Sequence, residues 1–163
     1  MLRALELEAI HDSFPEPTNF KKIKEFHHRF GRSPDPRRPT VTSPESRHLR
    51  AVLIFEEMQE LFDELGVRLM VENDTFKLEM NTNHPIDLSN VAKETADLLY
   101  VVYGTAASMG LPIDEVYSAV HTSNMSKLGD DGQPLRRGDG KVLKGPNYQP
   151  PTIDVILKGN QNR

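Results

Sequence analysis

Cysteine is absent from the 163-residue sequence. That absence removes disulfides, thiolate zinc sites and cysteine nucleophiles together, and it suits a reducing compartment. Any metal must then sit on oxygen or imidazole. Also missing is an apolar run of the ~18 residues that a membrane-spanning helix needs. Glu6, Glu8 and Asp12 occupy the N-terminal stretch that a secretory signal would keep apolar. These absences lead us to expect a cytoplasmic protein with no membrane partner. Internal repeats and low-complexity tracts are lacking, and no basic stripe runs along a predicted helix, so nucleic acid is not an expected partner.

What is present fits one core. Hydrophobic residues make up 37% of the chain, and its length is that of a single domain. The net charge of -4 conceals an asymmetry: residues 1–123 hold 13 Lys and Arg against 20 Asp and Glu, or -7, whereas residues 124–163 hold 7 against 4, or +3. An acidic body therefore carries a basic tail, the division expected of acidic metal ligands beside basic phosphate contacts, though ordinary surface charge gives the same split. We divide the chain into a lead-in at 1–17, a helical catalytic region at 18–123, and a basic substrate loop and C-terminal tail of the same domain at 124–163.

Punctuation residues set the elements. Thr18 can cap a first helix whose Phe20, Ile23, Phe26, His27 and Phe30 recur at three- and four-residue steps until Gly31. Pro34, Pro36 and Pro39 make the following segment a linker. Ser43 and Pro44 are a cap and first-turn residue for a second helix that Gly66 ends. Val67, Leu69 and Val71 alternate, as do Phe76, Leu78 and Met80, which predicts a short hairpin turning at Asn73-Asp74. A third helix is expected from about Ser89 to Met109 with Gly110 as its stop, and a fourth from Pro112 to about Ser123. Asn124 to Pro151 reads as a polar functional loop. The expected fold is all-α, a four-helix bundle with a small hairpin inserted between its second and third helices.

The chemistry lies in carboxylates. On the second helix Leu49, Val52 and Leu53 define an inward stripe that continues, at helical steps, into Glu56, Glu57 and Glu60. On the third, Glu94 and Asp97 form an i, i+3 pair, with Glu94 between Val91 and Leu98 on an apolar face. The plainer alternative is a solvated acidic face; register argues against it. Uncompensated carboxylates on a core face would each cost several kcal/mol, on the order of the desolvation penalty of a buried ion, and divalent cations offset that cost. Oxygen-only ligands suit Mg²⁺ or Mn²⁺, and Mg²⁺ keeps waters and phosphate oxygens in its shell. Ser and Thr stand in no recognisable nucleophile setting, so covalent catalysis is not expected.

Glu56-Glu57-x-x-Glu60 and Glu94-x-x-Asp97 resemble the paired acidic signature of MazG-like pyrophosphohydrolases, whose relatives include all-α dUTPases and phosphoribosyl-ATP pyrophosphohydrolases. Asp97-Leu-Leu-Tyr100, Asn124-Met-Ser-Lys127 and Asp139-Gly-Lys141-Val-Leu-Lys144 extend the resemblance over roughly residues 18–150. It implies hydrolysis of a (deoxy)nucleoside triphosphate between its α and β phosphates, giving the monophosphate and pyrophosphate. By the same match, Glu57, Glu60, Glu94 and Asp97 hold the principal Mg²⁺, for which Mn²⁺ can substitute. Glu56 assists a further metal or orients the attacking water. The 33 residues between Glu60 and Glu94 exceed the usual gap in the family. The resemblance also implies a homodimer or homotetramer. dUTP and a purine such as (d)GTP are the candidate substrates.

Asn124 and Lys127 fall in one turn at the end of the fourth helix, where they suit sugar or phosphate contacts or, more plainly, a complemented helix terminus. Lys141 and Lys144 lie in a Gly-rich loop able to close over a triphosphate. Asn19, Phe26 and His27 are candidate walls of a base pocket. Glu25-Phe-His-His28 is a single Glu-x-x-His, and a di-metal redox bundle needs two. That function, and a non-catalytic nucleotide- or metal-binding module, are the competing classes.

Overall fold

The computed structural model describes residues 18–31, 36, 38–72 and 75–161. Among them are five helices and one two-stranded sheet: α1 (Asn19–Arg29), α2 (Pro44–Glu64), β1 (Val67–Glu72), β2 (Thr75–Met80), α3 (Leu88–Ser108), α4 (Ile113–Met125) and α5 (Ile153–Gln161). The protein is largely all-α with a small hairpin insertion. The lead-in at 1–17 and the expected hairpin turn at Asn73-Asp74 lie outside the described residues. Two compact units are distinguished: the first comprises Met1–Asp35 and Thr42–Ala107, the second Pro36–Val41 and Ser108–Arg163.

In the first unit each helix begins where a side-chain oxygen replaces a missing helical acceptor. The Lys21 N–H donates to Thr18 Oγ1 over 3.3 Å and the Ser46 N–H to Ser43 Oγ over 3.2 Å; Ser89 N–H donates to Asp87 Oδ1 over 2.8 Å. Gly66 ends α2 with φ +67°, and a Cβ there would lie 2.7 Å from His84 Cβ, so both conformation and space demand glycine.

The hairpin that follows is in register Val67↔Met80, Leu69↔Leu78 and Val71↔Phe76. Cross-strand partners share a face, so these six apolar side chains form one surface. Four of them are exposed: Val71 by 65%, Phe76 by 75%, Leu78 by 57% and Met80 by 65%. The hairpin fills the long gap between the acidic motifs.

Helix α1 packs on α3 through aromatic contacts. The Phe26 ring meets Tyr100 edge-on at 5.4 Å and stacks on Phe30 at 4.4 Å, while Phe20 lies 6.3 Å from Tyr103. Ile23 and His27, one turn apart, are the buried residues of α1, and His28 is exposed. Gly104 on α3 makes this approach possible, since a Cβ there would stand 3.3 Å from His27 Nε2 and 3.4 Å from Arg50 Nη1. Ala106 and Ala107 are buried alongside.

Helix α2 departs from expectation. Leu49 and Val52 are exposed and Leu53 is half-buried, so the inward stripe drawn through them is not an apolar core face. Of the acids continuing it, Glu57 is half-buried and Glu56 and Glu60 are exposed.

In the second unit the Thr40 N–H donates to the Met109 carbonyl, and Gly110, with φ +63°, lies against the Pro36 and Arg38 carbonyls. Helix α4 extends to Met125 and contacts α5, where Asn160 Nδ2 donates to Glu115 Oε2 over 3.2 Å. The sequence reading stopped at four helices and left α5 in the tail. Its Ile153, Ile156, Leu157 and Asn160 are half-buried at i, i+3, i+4 and i+7. Between α4 and α5 the loop folds on itself through the isolated bridges Leu128↔Pro134 and Arg136↔Val142, and the buried Ser123 donates to the Gln149 carbonyl over 2.7 Å.

Candidate metal centre

Glu57 on α2 and Glu94 and Asp97 on α3 each bring one carboxylate oxygen to a common point, with all three atoms within 4.8 Å of one another. Glu94 and Asp97 reach it because an i, i+3 pair shares a helix face. Glu94 is buried, only 8% exposed, and its Oε2 has no hydrogen-bond partner among the described residues. An ionised oxygen withdrawn from water without a donor is costly, and a cation is the natural partner for it. The donor set is three carboxylates without imidazole or sulfur, which fits a hard divalent ion such as Mg²⁺ or Mn²⁺.

The charges respond accordingly. The Glu57 carboxyl is pushed above the usual glutamate range, first by burial and then by repulsion from Glu60, Asp97 and Glu94, with Lys93 offsetting part of the effect. Glu60 therefore belongs to the same field, although it is exposed and outside the three-ligand group. Lys93 was not foreseen. Its Nζ donates to Glu94 Oε1 and to Asp97 Oδ2, each over 2.9 Å. Those hydrogen bonds hold its ammonium well above the ordinary lysine range. The i, i+4 spacing from Lys93 to Asp97 was legible in the sequence.

Beside Asp97 on α3, Ala96, Leu99, Tyr100 and Tyr103 line a cavity of about 170 Å³, closed from α1 by Asn19, Lys22 and Ile23. Of the three expected base-pocket residues, Asn19 lines it, Phe26 supports Tyr100 from behind, and His27 is buried against Gly104 instead. Tyr100 was named only as the end of a motif and Tyr103 not at all, because their i, i+3 spacing reads equally well as core. Burial, with Glu25 adding to it, raises the Tyr100 phenol above its usual value, so it stays a neutral hydrogen-bonding group.

The expected phosphate residues lie in the second unit. Lys127 Nζ donates to Asn124 Oδ1 over 2.7 Å. The Lys144 ammonium stands 4.2 Å from the centroid of the Tyr148 ring. Lys141 donates its backbone N–H to Asp139 Oδ1 over 3.1 Å and its side chain is exposed. Arg137 is paired with Asp139. On α1, Glu25 is bound to Arg29 over 2.7 Å.

A largely helical protein whose carboxylates converge from two helices onto one oxygen-only cluster has the arrangement expected of an all-α pyrophosphohydrolase. Residues 23–124, well over half of the chain, match the family model of phosphoribosyl-ATP pyrophosphohydrolase. The chain belongs to that family, and its activity is that of a pyrophosphohydrolase, cleaving a nucleotide phosphoanhydride. A solved structure from Exiguobacterium sp. 255-15, described as a candidate NTP pyrophosphohydrolase, is 22% identical and aligns over 91% of this chain and 96% of its own, with a TM-score of 0.38. That likeness is too loose to bear on fold or activity. No curated protein matches the chain. Among the described residues no single helix is long and apolar enough to cross a membrane.

Proposed function

We propose that this protein hydrolyses a nucleoside triphosphate between the α and β phosphates, releasing the monophosphate and pyrophosphate, with Mg²⁺ held by Glu57, Glu94 and Asp97. The observation that carries the proposal is the convergence of those three carboxylates at a buried Glu94 whose Oε2 has no hydrogen-bond partner among the described residues. A divalent cation there supplies neutralisation of the phosphate charge and acidifies water. Glu60, one turn beyond Glu57, adds negative charge that strengthens cation binding. Glu56, exposed on the same helix, is assigned to orienting the attacking water or to a further cation. No side-chain nucleophile is involved.

The cavity beside Asp97 is proposed to receive the base. Tyr100 and Tyr103 offer aromatic faces, and Asn19 an amide with both donor and acceptor, while Ile23 and Leu99 add apolar walls. Asn124, Lys127, Lys141 and Lys144 are assigned to the phosphates by family resemblance rather than by their placement. We further propose an even-numbered homo-oligomer, because the exposed apolar face of the hairpin needs cover.

The test is a panel of nucleoside triphosphates containing dUTP, dGTP and GTP, together with phosphoribosyl-ATP, whose name the family model carries. Each is incubated with and without Mg²⁺ and scored for pyrophosphate. Mg²⁺-dependent pyrophosphate release supports the proposal. Orthophosphate as the first product, or undiminished turnover in excess chelator, overturns it.

A further inference from the structure

Lys93 holds two of the carboxylates that a cation would claim. Its Nζ bridges Glu94 Oε1 and Asp97 Oδ2, two of the three candidate ligand residues, at 2.9 Å each. The candidate oxygens all lie within 4.8 Å of one another. Ligands of a Mg²⁺ ion at about 2.1 Å stand roughly 3 Å apart when adjacent and roughly 4.2 Å apart when opposite, so one such ion takes oxygens gathered on this scale. The Lys93 side chain is 62% exposed, against 10% for that of Glu94. Its flexible stem can leave toward water more readily than the buried Glu94 side chain can.

We infer that Lys93 is an exchangeable counter-ion: its ammonium holds Glu94 and Asp97 when no divalent cation is bound and is expelled when one enters. The inference rests on the proposed cation site and deepens it by naming what regulates its loading. An ammonium and a divalent cation held on the same carboxylates repel each other. The ammonium therefore competes with the metal and weakens its apparent affinity. In return it stabilises the metal-free protein, whose acidic centre would otherwise hold Glu57, Glu60, Glu94 and Asp97 against one another. By linkage, an anion that attracts the displaced ammonium also tightens metal binding, so loading of the site becomes coupled to the arrival of a polyphosphate.

Calorimetric titration with Mn²⁺ alone, at low ionic strength, tests this on the full chain. Lys93→Met is expected to bind Mn²⁺ about three- to tenfold more tightly than the wild type, a modest gain because the ammonium is solvent-exposed. Its metal-free form should also melt at a lower temperature. Lys93→Arg, which keeps the charge, should bind no more tightly than the wild type. Unchanged or weaker Mn²⁺ affinity in Lys93→Met, with affinity still lost in Glu94→Gln, overturns the counter-ion role and leaves the cation site standing. Failure of the wild type to bind Mn²⁺, or undiminished binding by Glu94→Gln, overturns both.

Discussion

Replacing Glu57 with Gln keeps the side chain's volume and removes its charge. In the metal-free protein the Glu57 carboxylate is half-buried and faces Glu60, Asp97 and Glu94, which together with burial raise its pKa. Each like-charge contact costs a few tenths of a kcal/mol, so neutralising Glu57 should stabilise the metal-free fold by about 1 kcal/mol at neutral pH. For a chain of this size that is a rise in Tm of about 2–4 °C. The pH dependence has a fixed sign. With a folded-state pKa raised above the unfolded one, the stability linked to Glu57 protonation is fully present below the ordinary glutamate pKa and is lost as pH rises through the raised value. Gln mimics the protonated form at every pH. The advantage of Glu57→Gln should therefore be near zero in acid and grow toward neutrality. Saturating Mg²⁺ should reverse the order, since it stabilises only the protein that binds it. Turnover should fall at least about a hundredfold, the loss that even outer-shell partners of a metal site can cause. Thermal melts across pH in chelator and in Mg²⁺, with initial rates, measure all of this. A variant that melts below the wild type in chelator at neutral pH, or turns over normally at saturating Mg²⁺, refutes the reasoning.

Lys127→Ala should raise KM for the triphosphate about tenfold, the loss of one charge-assisted contact, and leave Mn²⁺ affinity unaltered; an unchanged KM returns Lys127 to a helix-end charge paired with Asn124. Gly66→Ala should cost about 1–3 kcal/mol by chemical denaturation, because φ +67° and a 2.7 Å approach to His84 both oppose a Cβ; a loss below a few tenths of a kcal/mol would contradict the tight junction. Phe76→Glu, placing a charge on the exposed hairpin face, should lower the mass measured by light scattering if that face joins two copies. An unaltered oligomer assigns the contact to another surface, and a monomeric wild type at full activity removes the homo-oligomer altogether.

Much of the fold was legible because its signals are local. Thr18, Ser43-Pro44, Gly31, Gly66 and Gly110 each act through their own backbone, and the hairpin followed from strict alternation around Asn73-Asp74. Helix α5 was not read because the tail was followed only to Pro151, yet Ile153, Ile156 and Leu157 carry a helical stripe that tertiary contact with α4 completes. At the candidate site, the sequence placed Glu57, Glu94 and Asp97 in register to meet, because two helices each present one face. It could not separate Glu57 from Glu56 and Glu60, since all three continue the same stripe and only packing sets their exposure. The Leu49–Val52 segment of that stripe failed for the same reason: an apolar pattern says which face can be buried, and the available partners decide whether it is. Tyr100 and Tyr103 became cavity walls only when α1 was laid against α3.

The central claim is that water attacks the α phosphorus. Hydrolysis of the best substrate of the panel in ¹⁸O-labelled water, with mass spectrometry of both products, tests it most directly. The account predicts one ¹⁸O atom in the nucleoside monophosphate and none in pyrophosphate; label in the pyrophosphate, or in released orthophosphate, would contradict it.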